Sequence, residues 1–210
     1  MFNRCYKLDH FAYRSFNMAP IAKRFMNERY ALENDKYEFA NNVSARWLSH
    51  ARYPSLFVSQ YNGIATDLKL KQNTKIDLEE VDKVINNREK ISYSLYKEIA
   101  STNQYLAWTL LFENKINHVA FQVSDIKEAV RQIKTDFPEY QINNPEDPIQ
   151  VSQDGDLMQF SIKADLIDYK FSDGIHKVPF SFTEFVERKN GRRGFETQNA
   201  SKIFESTKIE

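Results

Sequence analysis

The sequence is short of several things, and each shortage closes a class of function. It has one cysteine, Cys5. A disulfide within the chain is therefore impossible, which excludes a bridge-stapled secreted scaffold and makes a reducing compartment the expected setting. A cysteine-rich zinc site is excluded as well. Nothing around Cys5 activates it, and it reads as inert. Glycine is limited to five residues. There is no phosphate loop, dinucleotide fingerprint, Gly-x-Ser-x-Gly elbow or His-Glu-x-x-His motif. Charge of one sign is also missing: 29 Lys and Arg balance 29 Asp and Glu. No overall field draws nucleic acid or an anionic membrane. The basic turn Lys189-Asn190-Gly191-Arg192-Arg193 is too small to make a nucleic-acid surface. No apolar run approaches the roughly 18 residues of a membrane span. Met1 to His10 carries Arg4 and Lys7 with no apolar core after them, unlike a signal peptide. The expectation is a soluble, cytoplasmic protein with neither a nucleic-acid nor a membrane partner.

What the chain does have is aromatic residues, 16 Phe, 11 Tyr and 2 Trp among 210 positions, enough to build a substantial core from short strands. Leu8–Phe16 alternates as a strand. Pro20 sits where a first helical turn accepts it, and a helix is predicted over Ile21–Leu32. Strands are predicted over Val43–His50 and Ser55–Tyr61. Ile76–Ile99 carries helical spacing, with Asp77 placed to cap one or two helices, and Asn103–Phe112 adds another. Ile116–Val123 returns to strand. Ile126–Phe137 is an amphipathic helix ended by Pro138. After a loop over Gln141–Asp156, with a short strand near Ile149–Val151, strands are predicted over Leu157–Phe171 and Phe180–Arg188. The turn Ser172-Asp173-Gly174 would join these two as a hairpin. A final helix is predicted over Arg193–Thr207.

An internal echo organises these elements. Leu8-Asp9-His10-Phe11-Ala12-Tyr13 matches Ile116-Asn117-His118-Val119-Ala120-Phe121 in residue type, position by position. Each copy is a strand followed by a helix and further strands, which suggests two related modules. Side chains alternate along a strand. His10, Ala12 and Arg14 therefore share a face, as do His118, Ala120 and Gln122. If the modules pair by pseudo-symmetry, the two histidines meet across a shared cleft. Glu184 alternates with Phe182 and Val186. It is either a solvated strand residue or, on a buried face, a carboxylate that needs a cation or a partner. Two histidines and one carboxylate form the facial triad of non-heme Fe(II) oxygenases, but the same donors suit Zn(II), Mn(II), Ni(II) or Co(II). Arg14 lies about 13 Å from His10 by strand rise. It is either a surface ion pair or a bidentate clamp for a substrate carboxylate. Gln159 and Ser161 share a strand face, and the pattern favours exposure for both. His50 and His176 sit beside turns and read as surface residues.

Four segments in order carry a resemblance. They are Leu8–Phe16, with His10 and Arg14; Arg52-Tyr53-Pro54-Ser55-Leu56-Phe57-Val58-Ser59; Ile116–Phe121, with His118; and Thr183-Glu184-Phe185-Val186-Glu187-Arg188. The series resembles the 2-oxoadipate dioxygenase/decarboxylase family of the vicinal oxygen chelate superfamily. The closing Gly194-Phe195-Glu196, Asn199 and Ile203-Phe204-Glu205-Ser206 resemble the C-terminal helix of 4-hydroxyphenylpyruvate dioxygenase. The resemblance implies an α+β fold, with paired βαβββ modules forming a curved mixed sheet around a metal site. It implies a single domain: module one about 8–62, a helical insert about 63–113, module two about 114–190 and a lid helix about 193–207. It carries Fe(II) onto His10, His118 and Glu184, and a substrate-carboxylate clamp onto Arg14. Gln159 becomes a cleft residue with a catalytic part, and Ser161, Phe195 and Asn199 join it in the substrate site. The implied enzyme is a non-heme iron 2-oxo-acid dioxygenase acting in lysine catabolism. Its partners are O2 and a 2-oxo acid such as 2-oxoadipate, decarboxylated and hydroxylated to 2-hydroxyglutarate. A metal-dependent isomerase, lyase or hydrolase on the same scaffold remains an alternative, as does a non-catalytic small-molecule binding module.

Overall fold

The computed structural model describes residues 7–39 and 41–196, with backbone alone at 34 and 35. The first half runs β1 (Lys7–Ser15), α1 (Ala19–Asn27), β2 (Ala31–Phe39), β3 (Val43–Ser49) and β4 (Ser55–Tyr61). Four helices follow: α2 (Leu68–Gln72), α3 (Leu78–Asn87), α4 (Tyr93–Thr102) and α5 (Gln104–Phe112). The second half is β5 (Lys115–Gln122), α6 (Ile126–Asp136), β6 (Gln150–Val151), β7 (Leu157–Ser161), β8 (Leu166–Lys170), β9 (Ile175–Pro179) and β10 (Phe182–Arg188).

Eight strands form one mixed sheet in the order β2-β3-β4-β1-β5-β10-β7-β6. In the first half β4 pairs parallel with β1 and antiparallel with β3. In the second, β10 pairs parallel with β5 and antiparallel with β7. The halves repeat one βαβββ pattern outward from the central antiparallel pair β1–β5. Helices α1 and α6 pack on one face. Ile126, Ala129, Val130 and Ile133 of α6, spaced on one helical stripe, lie against Phe160, Ile162 and Phe185. The other face bears His10 and Ala12, and its core joins Trp47 and Phe57 to Tyr105, Leu106 and Trp108 of the inserted helices. Side chains that accept first-turn N–H groups start the longer insert helices: Asp77 for α3, Ser92 for α4 and Asn103 for α5. Leu106 is fully buried. Leu106→Ala should lower the unfolding free energy by about 2–5 kcal/mol in a urea titration; a change under about 0.5 kcal/mol would show that the insert is not part of the cooperative core.

Three predicted elements are corrected. The first helix stops at Asn27, because Arg29 takes φ +69° and breaks the helical path. The chain from Ala31 is instead the edge strand β2, where buried Tyr37 and Phe39 alternate with exposed Lys36 and Glu38. The long strand predicted over Leu157–Phe171 is two strands. Lys163 and Asp165 donate backbone hydrogen bonds to Gln141 and Ser181, which turns the chain out of the main sheet. The Ser172-Asp173-Gly174 turn joins β8 to β9, not to β10, as a separate two-stranded sheet. Residues 193–196 are not helical. The rest of the predicted C-terminal helix lies outside the described residues, as does Cys5.

Candidate metal centre

Register brings the echo residues together. Across β1–β5, His10 faces Ala120 and Ala12 faces His118. Across β5–β10, His118 faces Phe182 and Ala120 faces Glu184. Three adjacent strands thus place His10, His118 and Glu184 on one face, and the buried methyls of Ala12 and Ala120 leave room between them. All three site residues are buried, and one ligand atom from each lies within 4.8 Å of the other two. His10 Nε2 is 3.3 Å from His118 Nε2. Glu184 Oε2 is 3.2 Å from His118 Nε2 and 3.8 Å from His10 Nε2.

The strand irregularities decide which nitrogen of each ring faces inward. The β1–β5 pairing slips twice, leaving Asp9 as the extra residue on β1 and Asn117 as the extra residue on β5. A bulge re-aims its side chain. Asp9 Oδ2 accepts from His10 Nδ1 at 2.7 Å, and Asn117 Oδ1 accepts from His118 Nδ1 at 3.2 Å. Both rings then turn Nε2 toward one point beside a carboxylate oxygen. Such a donor set fits a divalent cation with open positions. Burial pushes the His118 imidazole down to about 4 despite the adjacent Glu184 carboxylate, so the ring is neutral and able to ligate at pH 7. Burial alone would raise the Asp9 carboxyl. The hydrogen bonds from His10 and Arg188 outweigh it and hold Asp9 below the usual carboxylate range.

Gln159 fixes the other end of the carboxylate, its Nε2 donating to Glu184 Oε1 at 2.6 Å. Gln159 Oε1 is buried and accepts no hydrogen bond from the described residues. The exposure favoured by pattern for Gln159 and Ser161 is corrected, because β7 pairs with β10 and both residues are buried on the site face. Ser161 lies directly opposite Glu184, and its hydroxyl accepts from Asn143 Nδ2 at 2.8 Å. Arg14 is buried, its guanidinium over the rings of Tyr105 (4.9 Å) and Trp108 (5.5 Å). It lines a cavity with Gln104, Trp108, Asn117 and Phe182. That cavity abuts the triad, because Phe182 stacks on the His118 ring at 4.6 Å. Burial lowers Arg14 to about 10, so it remains cationic at neutral pH. On the opposite side Phe195 packs edge-on against His10 (4.9 Å), Trp47 and Phe57. Asn199 lies outside the described residues.

The two halves differ where it matters chemically. Glu184 sits opposite Ala120, and the equivalent position opposite Ala12 holds Phe57. One half contributes the carboxylate and the other an aromatic wall. Glu187, on the far face of β10, accepts the first α6 N–H, from Ile126. His50 accepts N–H groups from its own turn, and His176 stacks on Tyr93. Neither joins the cluster, which is the one candidate metal group among the described residues. Sequence reasoning passed over Asp9 and Arg188. The one available signal was the acidic or amide residue directly before each histidine.

Paired βαβββ halves sharing one face, which here bears the two-histidine, one-carboxylate cluster, make the fold of vicinal oxygen chelate type. Residues 58–193 match the 2-oxoadipate dioxygenase/decarboxylase family, and the chain belongs to it. A chloroplastic 2-oxoadipate dioxygenase/decarboxylase of Arabidopsis thaliana is 37% identical over 57% of this chain, a stretch that spans 38% of the relative's length. A chloroplastic/amyloplastic protein of that name from Oryza sativa subsp. japonica is 27% identical over 97% of this chain and 69% of its own. The crystal structure of the Oryza sativa hydroxyglutarate synthase in complex with 2-oxoadipate superposes with a TM-score of 0.73 at 25% identity, covering 98% of this chain and 82% of that one.

Proposed function

We propose that this protein is a mononuclear Fe(II) dioxygenase that converts a 2-oxoadipate-like diacid to a hydroxy diacid one carbon shorter, such as 2-hydroxyglutarate. The observation that carries this reading is the convergence of His10, His118 and Glu184 near a cavity lined by Arg14. The two imidazoles and the carboxylate would hold the ion and leave positions open for other ligands. Bound Fe(II) supplies Lewis acidity toward the 2-oxo acid and electrons for O2 chemistry. Gln159 keeps one Glu184 oxygen occupied, and Oε2, on the side of the two imidazoles, is the oxygen that would hold the ion. Arg14 takes the distal carboxylate of the substrate in its apolar cavity, where a charge-assisted bidentate contact is strong. Phe182 on one side and Trp47, Phe57 and Phe195 on the other keep bulk water out. The overall conversion, 2-oxo diacid and O2 to hydroxy diacid and CO2, balances without a second oxo acid.

An oxygen electrode tests this. Protein reconstituted with Fe(II) should consume O2 in step with CO2 release when given 2-oxoadipate. Turnover under strict anoxia would replace this reading with an isomerase, lyase or hydrolase.

A further inference from the structure

Behind the metal ligands, one guanidinium bonds to two parts of the chain at once. Arg188 Nε and Nη2 donate to Asp9 Oδ1 and Oδ2, each at 2.9 Å. Asp9 in turn orients His10 through Nδ1. The remaining arm, Nη1, donates to the Gly194 carbonyl at 2.7 Å. Gly194 sits at φ +67°, and a Cβ there would meet Tyr37 Oη at 2.3 Å, so the chain passes tightly against β2. The next residue is Phe195, whose N–H donates to Tyr37 Oη and whose ring lies on His10. The guanidinium itself lies over the Trp47 ring at 5.5 Å and the Phe195 ring at 5.8 Å. The Asp9 and Arg188 side chains are each 8% exposed, so water does little to screen them.

We propose that Arg188 is a positioning residue coupling metal occupancy at His10 to the seating of the Gly194–Phe195 segment. The inference rests on the metal-site reading above. A metal that needs His10 held by Asp9 favours the arrangement in which Arg188 bridges Asp9 and Gly194. That arrangement seats Phe195. Linkage is reciprocal, so a seated segment tightens metal binding by the same factor with which metal secures the segment.

The probe is Co(II), titrated into the full chain by its visible absorption. Deuterium uptake over residues 189–196 is followed with and without it. In the wild type, Co(II) should slow exchange over this stretch. Arg188→Gln should weaken Co(II) binding by up to about 10-fold, the low end of the cost of losing a ligand's hydrogen-bonded partner, because Asp9 stays on His10 but loses its own support. Saturating Co(II) should then no longer slow exchange. Unchanged affinity in the variant would overturn the proposal, and so would weakened affinity with wild-type protection. Arg188→Lys keeps the cation but cannot span both Asp9 oxygens and the Gly194 carbonyl. It carries the same two measurements if the Gln variant does not fold, with the same retention of affinity or protection counting against the coupling. A wild-type chain that takes up no Co(II) would instead refute the metal site itself.

Discussion

Glu184→Gln is expected to abolish metal binding while leaving the metal-free protein at least as stable as the wild type. The two effects have one cause. Glu184 is a buried carboxylate facing two imidazole nitrogens. Holding a charge there is costly without a cation, and a neutral amide of the same shape removes that cost. Gln159, which donates to Glu184 Oε1, can still donate to the amide oxygen. With metal present the balance reverses. The wild type gains about 2.7 kcal/mol when free metal stands at 100 times its Kd, and the variant gains nothing. Thermal melts with and without Fe(II) or Co(II), beside elemental analysis, read both signs at once. Stoichiometric metal and a wild-type melting shift in the variant would remove Glu184 from the ligand set.

The cluster of His10, His118 and Glu184 was legible because its signals are local. His10 and His118 occupy the same place in two copies of one six-residue pattern, and Glu184 interrupts an apolar alternation on its own strand. The echo also pointed to two related modules, each a strand, a helix and further strands, and the sheet order shows them as two βαβββ halves. The support behind the triad was not legible. Strict alternation puts Asp9 and Asn117 on the face opposite their histidines, and the two strand bulges bring them back. The Arg188 contact joins residues 179 positions apart and depends on β1 and β10 both flanking β5. The edge strand β2 was missed because only Tyr37 and Phe39 mark its inner face, behind a run of charged residues. The β8–β9 hairpin was read as part of the main sheet because strand periodicity continues through Ile162–Asp165, where only backbone bonds to Gln141 and Ser181 reveal the turn.

Arg14→Ala should separate substrates by their second carboxylate. Two features make Arg14 a selective contact rather than a general one. Its guanidinium is buried between Tyr105 and Trp108, where a carboxylate meets it with little competition from water. Asn117 and Phe182 line its cavity and also contact His118, so a diacid with its 2-oxo end at the metal would have Arg14 on the side of its far carboxylate. A monocarboxylic 2-oxo acid fills only the metal end. Losing a charge-assisted bidentate contact costs roughly 2–4 kcal/mol, or about 30- to 1,000-fold in kcat/KM. The loss should fall on 2-oxoadipate, chiefly as a raised KM, with a 2-oxo acid of equal chain length and a methyl end changed several-fold at most. Arg14→Lys should recover only part of the diacid preference, because an ammonium cannot make the paired contact. Metal content should stay at the wild-type level in both variants, since Arg14 touches none of the three ligand atoms. Equal losses on the diacid and the monoacid would show that Arg14 shapes the cavity without binding the substrate's far end.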